Sequence, residues 1–362
     1  LLSFAESNPI ALYWSAYINH LMGREKEGKK LVDLAIAASP EGVFPFRLAT
    51  VKALNYAQSV SNSWKTDYYA AILQWHLGDK ATASALLDKH DNVSFAPYYQ
   101  CRALLKNGKD ELSDLLKAEK IDPTWRAGFS LINHYLRSNE IVLAMQTAKR
   151  YADWFPNNYM IGLKYAKALQ LNGKYKESIA LLKRTNVLPN EGAYEGRAIY
   201  RESHLYQAAD QLKRKRYAQA IHSVGDAKEW IENLGVGKPY DADMDERIEN
   251  YLMAVILEKQ GKVAEAASYY RKVTDRGISG RKSVSNELLV AIAMKKLGNT
   301  KQANLIVDKW LANQSDSKIG QWATAIYKGN TQQAMNLLTE RYTIEDTTPW
   351  EQATGDANFN LI

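Results

Sequence analysis

The stretch LNGKYKESIALLKRTNVLPN, Leu171 to Asn190, opens on a turn signal, carries apolar residues at helical spacing as far as Leu182, and closes on Leu-Pro. It is one tile of a pattern that runs along the chain. Glycine or a turn-forming residue separates apolar helical stretches at Gly23, Gly78, Gly108, Asn139, Gly173, Lys215, Gly261, Gly298 and Gly329. The spacing predicts helix-turn-helix units with insertions. Seven pairs of small residues flank these turns twelve positions apart: Ala16 and Gly28, Ala71 and Ala83, Cys101 and Ser113, Ala166 and Ser178, Ala208 and Ala220, Ala254 and Ala266, Ala291 and Ala303. Two antiparallel helices approach closely only where side chains are small, so one small residue on each helix marks the contact. Pro40, Pro156 and Pro189 then close units, because proline cannot continue a helix. These features predict an all-α chain of roughly nine hairpins.

A small residue in each helix, an aromatic after the turn such as Tyr175, and a closing proline resemble the tetratricopeptide repeat (TPR) superfamily. The resemblance covers about residues 8–342 and implies an α-α superhelix, a TPR-like solenoid of helical hairpins. It holds well around Gly23, Gly173 and Gly261 and loosens elsewhere: Ile132 stands where a small residue should precede Ala144, and the unit after Gly108 reads two residues short. The expected organisation is an array over 1–342 with insertions at about 41–63 and 228–247, then a tail over 343–362. The first insertion predicts its own helix at Leu48 to Gln58. A start at Leu1-Leu2-Ser3, without Met or a basic-then-apolar leader, suggests a piece of a longer protein.

Three sequence words carry a narrower resemblance. NVLPNEGAYEGRAIYRE (Asn186 to Glu202), ENLGVGKPYD (Glu232 to Asp241) and FPFR (Phe44 to Arg47) are similar to the C-terminal repeat region of large bacterial proteins. The N-terminal portion of those proteins is a β-rich domain of unknown function that resembles carbohydrate-active proteins. The resemblance implies an accessory repeat region, with no catalytic residues to carry over.

Composition narrows the picture modestly. Hydrophobic residues make up 46% of the 362, enough for a sizeable core. Nine Trp and 22 Tyr against seven Phe favour half-buried surfaces that also recognise. The net charge of +7 is spread along the chain, with KRKR at Lys213 to Arg216 the one dense run, and no base-reading pair repeats from unit to unit. Nucleic acid is therefore not the expected partner. One cysteine excludes an internal disulfide framework and leaves the compartment open, with a slight lean to extracytoplasmic. No apolar run approaches the roughly 18 residues of a membrane span, so the chain is expected to be soluble.

Motifs for chemistry fail on inspection. GVGKPY has Tyr240 where a dinucleotide loop needs glycine and Pro239 where a P-loop needs Ser or Thr. DADMDE alternates Asp241, Asp243 and Asp245 like a calcium loop, but Glu246 and Leu252 occupy positions that need Gly and Glu. Asp245 reads instead as a helix N-cap. The six histidines show no zinc spacing, Cys101 fills a packing position, and no serine sits in G-x-S-x-G. Neither metal, cofactor nor catalytic residues are expected.

The remaining candidate is a face. Projecting first helices onto a concave surface collects Lys65, Tyr68, His76, Tyr98, Arg102, Lys106, Arg126, Asn133, Arg137, Lys167 and Gln170. A solvated face that merely shares the chain's positive charge is the alternative. The expected ligand residues are Lys65, Tyr68, Tyr98, Arg102, Arg126, Asn133 and Arg137, rimmed by loops bearing Trp230 and Tyr240. Clustered Arg and Tyr suit an acidic peptide or an anionic glycan. The expected function is a non-enzymatic repeat scaffold binding a protein, a peptide or its own N-terminal domain. A glycan-binding accessory region, with Trp64, Trp230 and Tyr240 stacking on sugars, is the alternative.

Overall fold

The structure is a computed structural model that describes residues 8–106, 111–190, 192–276, 284–314 and 318–340; side chains are described outside 284–286, 309–314, 318–320 and 338–340. The described residues form nineteen α-helices and no strand. The chain divides into two compact units, Leu1–His134 and Tyr135–Ile362.

Unit 1 contains α1 (Pro9–Leu21), α2 (Glu25–Ala37), α3 (Thr50–Val60), α4 (Trp64–His76), α5 (Lys80–Leu87), α6 (Ala96–Leu105) and α7 (Glu111–Ile121). The division falls within α8 (Trp125–Arg137). Unit 2 continues with α9 (Ile141–Trp154), α10 (Tyr159–Leu171), α11 (Tyr175–Leu182), α12 (Tyr194–Lys213), α13 (Tyr217–Asp226), α14 (Arg247–Lys259), α15 (Val263–Asp275), α16 (Val284–Lys296), α17 (Thr300–Gln314), α18 (Lys318–Lys328) and α19 (Thr331–Glu340). Among the described residues, consecutive helices pack as hairpins in α1–α2, α4–α5 and α6–α7 of unit 1 and in α10–α11, α12–α13, α14–α15, α16–α17 and α18–α19 of unit 2. The fold class read from the sequence, an all-α chain of helical hairpins, is the one observed among the described residues.

The turns explain why the hairpins repeat. Gly23, Gly78, Asn139, Gly173, Lys215, Gly261, Gly298 and Gly329 all have φ between 57° and 94°. After each, the next N–H returns to the carbonyl five residues back, as Lys174 N does to Leu169 O at 2.9 Å and Asn299 N to Met294 O at 2.9 Å. This Schellman closure satisfies helix-end carbonyls and reverses the chain in three residues. Side-chain caps begin several helices, among them Asn8 to Ile10 N at 2.9 Å and Asp79 to Thr82 N at 3.0 Å.

The twelve-residue pairs sit where expected in six of seven cases. Ala16, Ala71, Ala83, Ala166, Ser178, Ala208, Ala220, Ala254, Ala266, Ala291 and Ala303 are all 2% exposed or less, and Gly28 is buried. A Cβ on Gly28 would come 3.1 Å from Ala16 O and 2.6 Å from Tyr56 Oη, so this contact admits no side chain. Ser178 Oγ donates to Ala166 O at 2.8 Å across the same interface. The seventh pair is a correction: Ser113 is exposed, and Arg102 and Asp114, one position on, make the buried contact instead.

The first insertion builds core. Its helix, α3, starts at Thr50, two residues later than expected, and packs on α1 and α4. Trp14 Nε1 donates to Thr50 Oγ1 at 3.3 Å, and Tyr56 stacks on His20 at 4.4 Å. In the second, Asp245 accepts from Arg247 N at 3.2 Å, but α14 starts at Arg247 with Glu246 as its N-cap residue, one position later than the sequence suggested, and the Glu246 side chain makes no cap bond. Among the described residues no helix is long and apolar enough to cross a membrane. The turn at Gly108, the short unit around it, the start at Leu1 to Ser3 and the 343–362 tail lie outside the described residues.

Candidate functional site

The stripe of expected ligand residues separates into a buried part and an accessible part. In unit 1, Tyr68 and Tyr98 are 2% and 0% exposed, because the first helix of one hairpin covers the stripe of the one before. Tyr68 meets Phe95 edge-on at 5.6 Å and Tyr98 at 6.0 Å, while Trp64 meets Tyr98 at 6.0 Å. Arg102 is 2% exposed. Its Nε and Nη2 grip Asp114 at 2.9 and 2.6 Å, and Nη1 donates to His90 O at 3.1 Å and Leu87 O at 3.3 Å. Burial opposes the charge, but the Asp114 bonds outweigh it and raise the guanidinium pKa. Tyr98 Oη also donates to Leu87 O. Tyr98 and Arg102 therefore hold the turn after α5 in place while Tyr68 packs against Phe95, and all three are enclosed.

Other members of the stripe remain reachable. Lys65 is half-buried, donates Nζ to Ala38 O at 2.7 Å and lies over the Trp64 ring. Arg126 is exposed and stacks on Trp125 at 4.4 Å, and Asn133 is half-buried. In unit 2, Arg137 is exposed at the end of α8. Gln170, 2% exposed, turns inward and donates to Ile199 O at 3.1 Å; Lys167 pairs with Glu202 at 2.8 Å. Both join α10 to α12 rather than face a groove.

Unit 2 brings two of the three distinctive words together. Val187 N donates to Asn233 O at 2.8 Å, and Asn233 Nδ2 donates to Leu182 O and Thr185 O at 2.8 Å each. A Cβ on Gly235, at φ 75°, would lie 2.9 Å from Val187 O, so this crossing needs glycine twice over. Leu234 is fully buried against Gly196. The paired segments display large apolar side chains: Leu188 is 67% exposed, Tyr194 63% and Tyr240 85%. In unit 1 the third word, FPFR, likewise leaves Phe44 and Phe46 71% and 63% exposed.

Beneath the segment after α13 runs a row of polar residues from α12 that the sequence reading missed: Arg197, Tyr200, Arg201 and His204. Arg197, 6% exposed, donates Nη2 to Ala227 O at 2.8 Å at the end of α13 and lies 4.6 Å from the Trp230 ring centre. Both contacts favour a cation. Its Nε and Nη1 have no acceptor. Burial, helped by the Arg201 charge, pulls its pKa down to about 10. Arg201 grips Glu249 and donates to Asp245 O at 3.1 Å; Tyr200 Oη donates to Glu229 at 3.0 Å; Lys228 Nζ reaches Glu246 at 2.6 Å. His204 is 4% exposed, and burial lowers its pKa to about 4, with Asp226 at 3.6 Å too distant for a hydrogen bond. The 197, 200, 201, 204 spacing puts these residues on one helical face, a signal available in the sequence.

Glu249 and Glu246 are paired with Arg201 and Lys228, Glu229 accepts from Tyr200, His204 stays neutral and enclosed, and burial pushes the Cys101 thiol up to about 11, where it is protonated at neutral pH. Among the described residues no group of three His, Cys, Asp or Glu is placed to hold a metal ion.

No protein-family model and no curated protein matches the chain. Solved structures similar to it include the Naa15/Naa10 complex bound to HypK-THB (14% identity, TM-score 0.41, covering 98% of this chain and 54% of that one). The anaphase-promoting-complex tetramer Cut9–Hcn1 is similar at 12% identity and TM-score 0.34, over 97% and 76% of the two chains. The human IFIT1 dimer with PPP-AAAA is similar at 13% identity and TM-score 0.31, over 92% and 90%. The chain spans about half the length of the chain it matches in the first.

Proposed function

We propose that the chain is a non-enzymatic helical-repeat scaffold that binds a protein partner through the paired loops of unit 2. The observation that carries this reading is the Val187–Asn233 bond with Gly235 against Val187: it fixes two irregular segments while Leu188, Tyr194 and Tyr240 stay exposed. Loops held on a rigid scaffold and bearing exposed aromatics are where binding concentrates, since aromatics lose little entropy when covered. Trp230 is half-buried, its ring against the Arg197 guanidinium, which anchors this segment to α12. Arg137, exposed in the same unit, is proposed as a secondary contact. Tyr68, Tyr98 and Arg102 are withdrawn.

The partner proposed first is a β-rich domain of the kind that precedes such repeat regions in the bacterial proteins whose words this chain shares. Isothermal titration of the full chain with such a domain tests it. Tyr194→Ala with Tyr240→Ala should weaken binding at least about tenfold, the loss of roughly 1.4 kcal/mol. Wild-type affinity in that variant would remove the loops from the interface. A second reading, an anionic or neutral glycan, is favoured by the 85% exposure of the Tyr240 ring. Glycan binding through ring stacking should barely respond to salt, whereas an Arg-led anionic contact should weaken steeply.

A further inference from the structure

The hairpin that departs from the small-residue pattern also leaves an apolar face uncovered. Because Asp114 enters the core to meet Arg102, α7 turns its Asp114, Leu115 and Ala118 side inward, at 1%, 2% and 0% exposed. Leu112, Ser113, Leu116, Lys117 and Lys120 are left on the outside, where they line an open depression of about 470 Å³. Ser113, Lys117 and Lys120 are exposed, and Leu116 is 43% exposed. Elsewhere the residue equivalent to Ser113 is packed against its partner helix.

We propose that this face docks an acidic amphipathic helix. Shape comes first: residues 112, 116 and 120 form one ridge of α7 and 113 and 117 the next, and the groove between such ridges fits the side chains of another helix. A space of this size takes a few aliphatic side chains. Charge then selects the partner. Of the three carboxylates on α7, Asp114 is turned away to Arg102 and Glu111 to His134 at 3.1 Å, while Glu119, half-buried on the Leu112 side of the helix, lies outside the lining. The accessible charges in the lining are Lys117 and Lys120, both positive. Lys117 is further held in place over the Tyr99 ring, 5.5 Å from its centre. An apolar floor with a cationic rim is complementary to a helix whose apolar stripe is flanked by Asp or Glu, and it repels a basic one. This site is independent of the unit 2 loops and stands or falls without them.

The test uses the full chain and two fluorescein-labelled 18-residue helical peptides, with leucines at i, i+3 and i+4 and flanks of either Glu or Lys. Fluorescence anisotropy should show the Glu peptide binding at least about tenfold tighter than the Lys peptide, with the gap closing as salt is added. Leu116→Asp, and separately Lys117→Glu with Lys120→Glu, should each weaken the Glu peptide about tenfold or more. Circular dichroism should remain unchanged, since all three positions are on the surface. Equal affinity for the two peptides, no binding of the Glu peptide, or variants that bind as wild type would each overturn the proposal. So would a wild-type dimer that Leu116→Asp dissociates, which would give this face to a second copy of the chain.

Discussion

Two hairpins place the same geometry at the service of different chemistry. In α10–α11 the helices meet through Ala166 and Ser178, twelve residues apart, and the hydroxyl of Ser178 donates to the Ala166 carbonyl. In α6–α7 the meeting pair is again twelve apart, but it is Arg102 and Asp114, an ion pair with side chains 3% and 2% exposed. The spacing is set by the turn and the helical repeat, so it survives whatever residues occupy it. What changes is the dependence on partners. A small pair tolerates being left alone, whereas either half of a buried ion pair cannot be removed without stranding a charge.

That difference is sharpest in Arg102→Ala. It would leave Asp114 buried without its bidentate partner and remove the donor to Leu87 O and His90 O, costing about 3–5 kcal/mol in urea unfolding. An effect below about 0.5 kcal/mol would return Arg102 to the surface, where the sequence had put it.

A smaller loss is expected from acid at His204. Its folded pKa of about 4 lies below the ordinary value near 6.5, so the unfolded chain takes up the proton first. Stability should fall as pH drops from about 6.5 to about 4, by on the order of 3 kcal/mol at most, and be fully present above that window. His204→Asn should flatten this limb of the melting-temperature profile, and an unchanged limb would assign it to carboxylates.

Overpacking a small pair should cost less still. Ala254→Leu would force four heavy atoms' worth of side chain into a fully buried contact with Ala266, for about 1–3 kcal/mol, while Lys259→Leu on the exposed end of α14 should change little. Ser178→Ala removes two neutral hydrogen bonds, to Ala166 O and with Ser203 Oγ, and should cost about 1 kcal/mol. The smallest effect is none: chelator should leave the melting temperature where it was, and a drop would reveal a structural metal.

The turns and small pairs were legible because each has a narrow physical requirement. A left-handed φ favours glycine, and Asn139 and Lys215 adopt it at a modest cost, while close helix contact excludes bulk. The stripe was legible as a stripe, but its destination was not. Tyr68 and Tyr98 carry a hydroxyl and an apolar ring, which suit a groove and a hairpin interface equally, and only stacking decides that Phe95 covers Tyr68. Arg102 could have been paired with Asp114 from the same twelve-residue rule. The two loop words stood out as irregular, yet their meeting rests on a Val187–Asn233 backbone bond and on Asn233 Nδ2 donating to the Leu182 and Thr185 carbonyls, and backbone acceptors carry no residue signature. The row from Arg197 to His204 was readable as a helical face, but the burial that sets its chemistry comes from the segment folded over it.

A double-mutant cycle on Arg102→Ala and Asp114→Ala, read by urea unfolding, tests most directly whether the twelve-residue relation organises these hairpins irrespective of chemistry. A coupling energy above about 2 kcal/mol is the expected result, since each single variant leaves the other's buried charge only a longer ion pair, Asp114 to Lys106 at 3.4 Å or Arg102 to Asp91 at 3.5 Å, while the double removes both buried charges. Additive losses, with coupling below about 0.5 kcal/mol, would mean that the two residues do not face each other and that α6 and α7 meet in some other register.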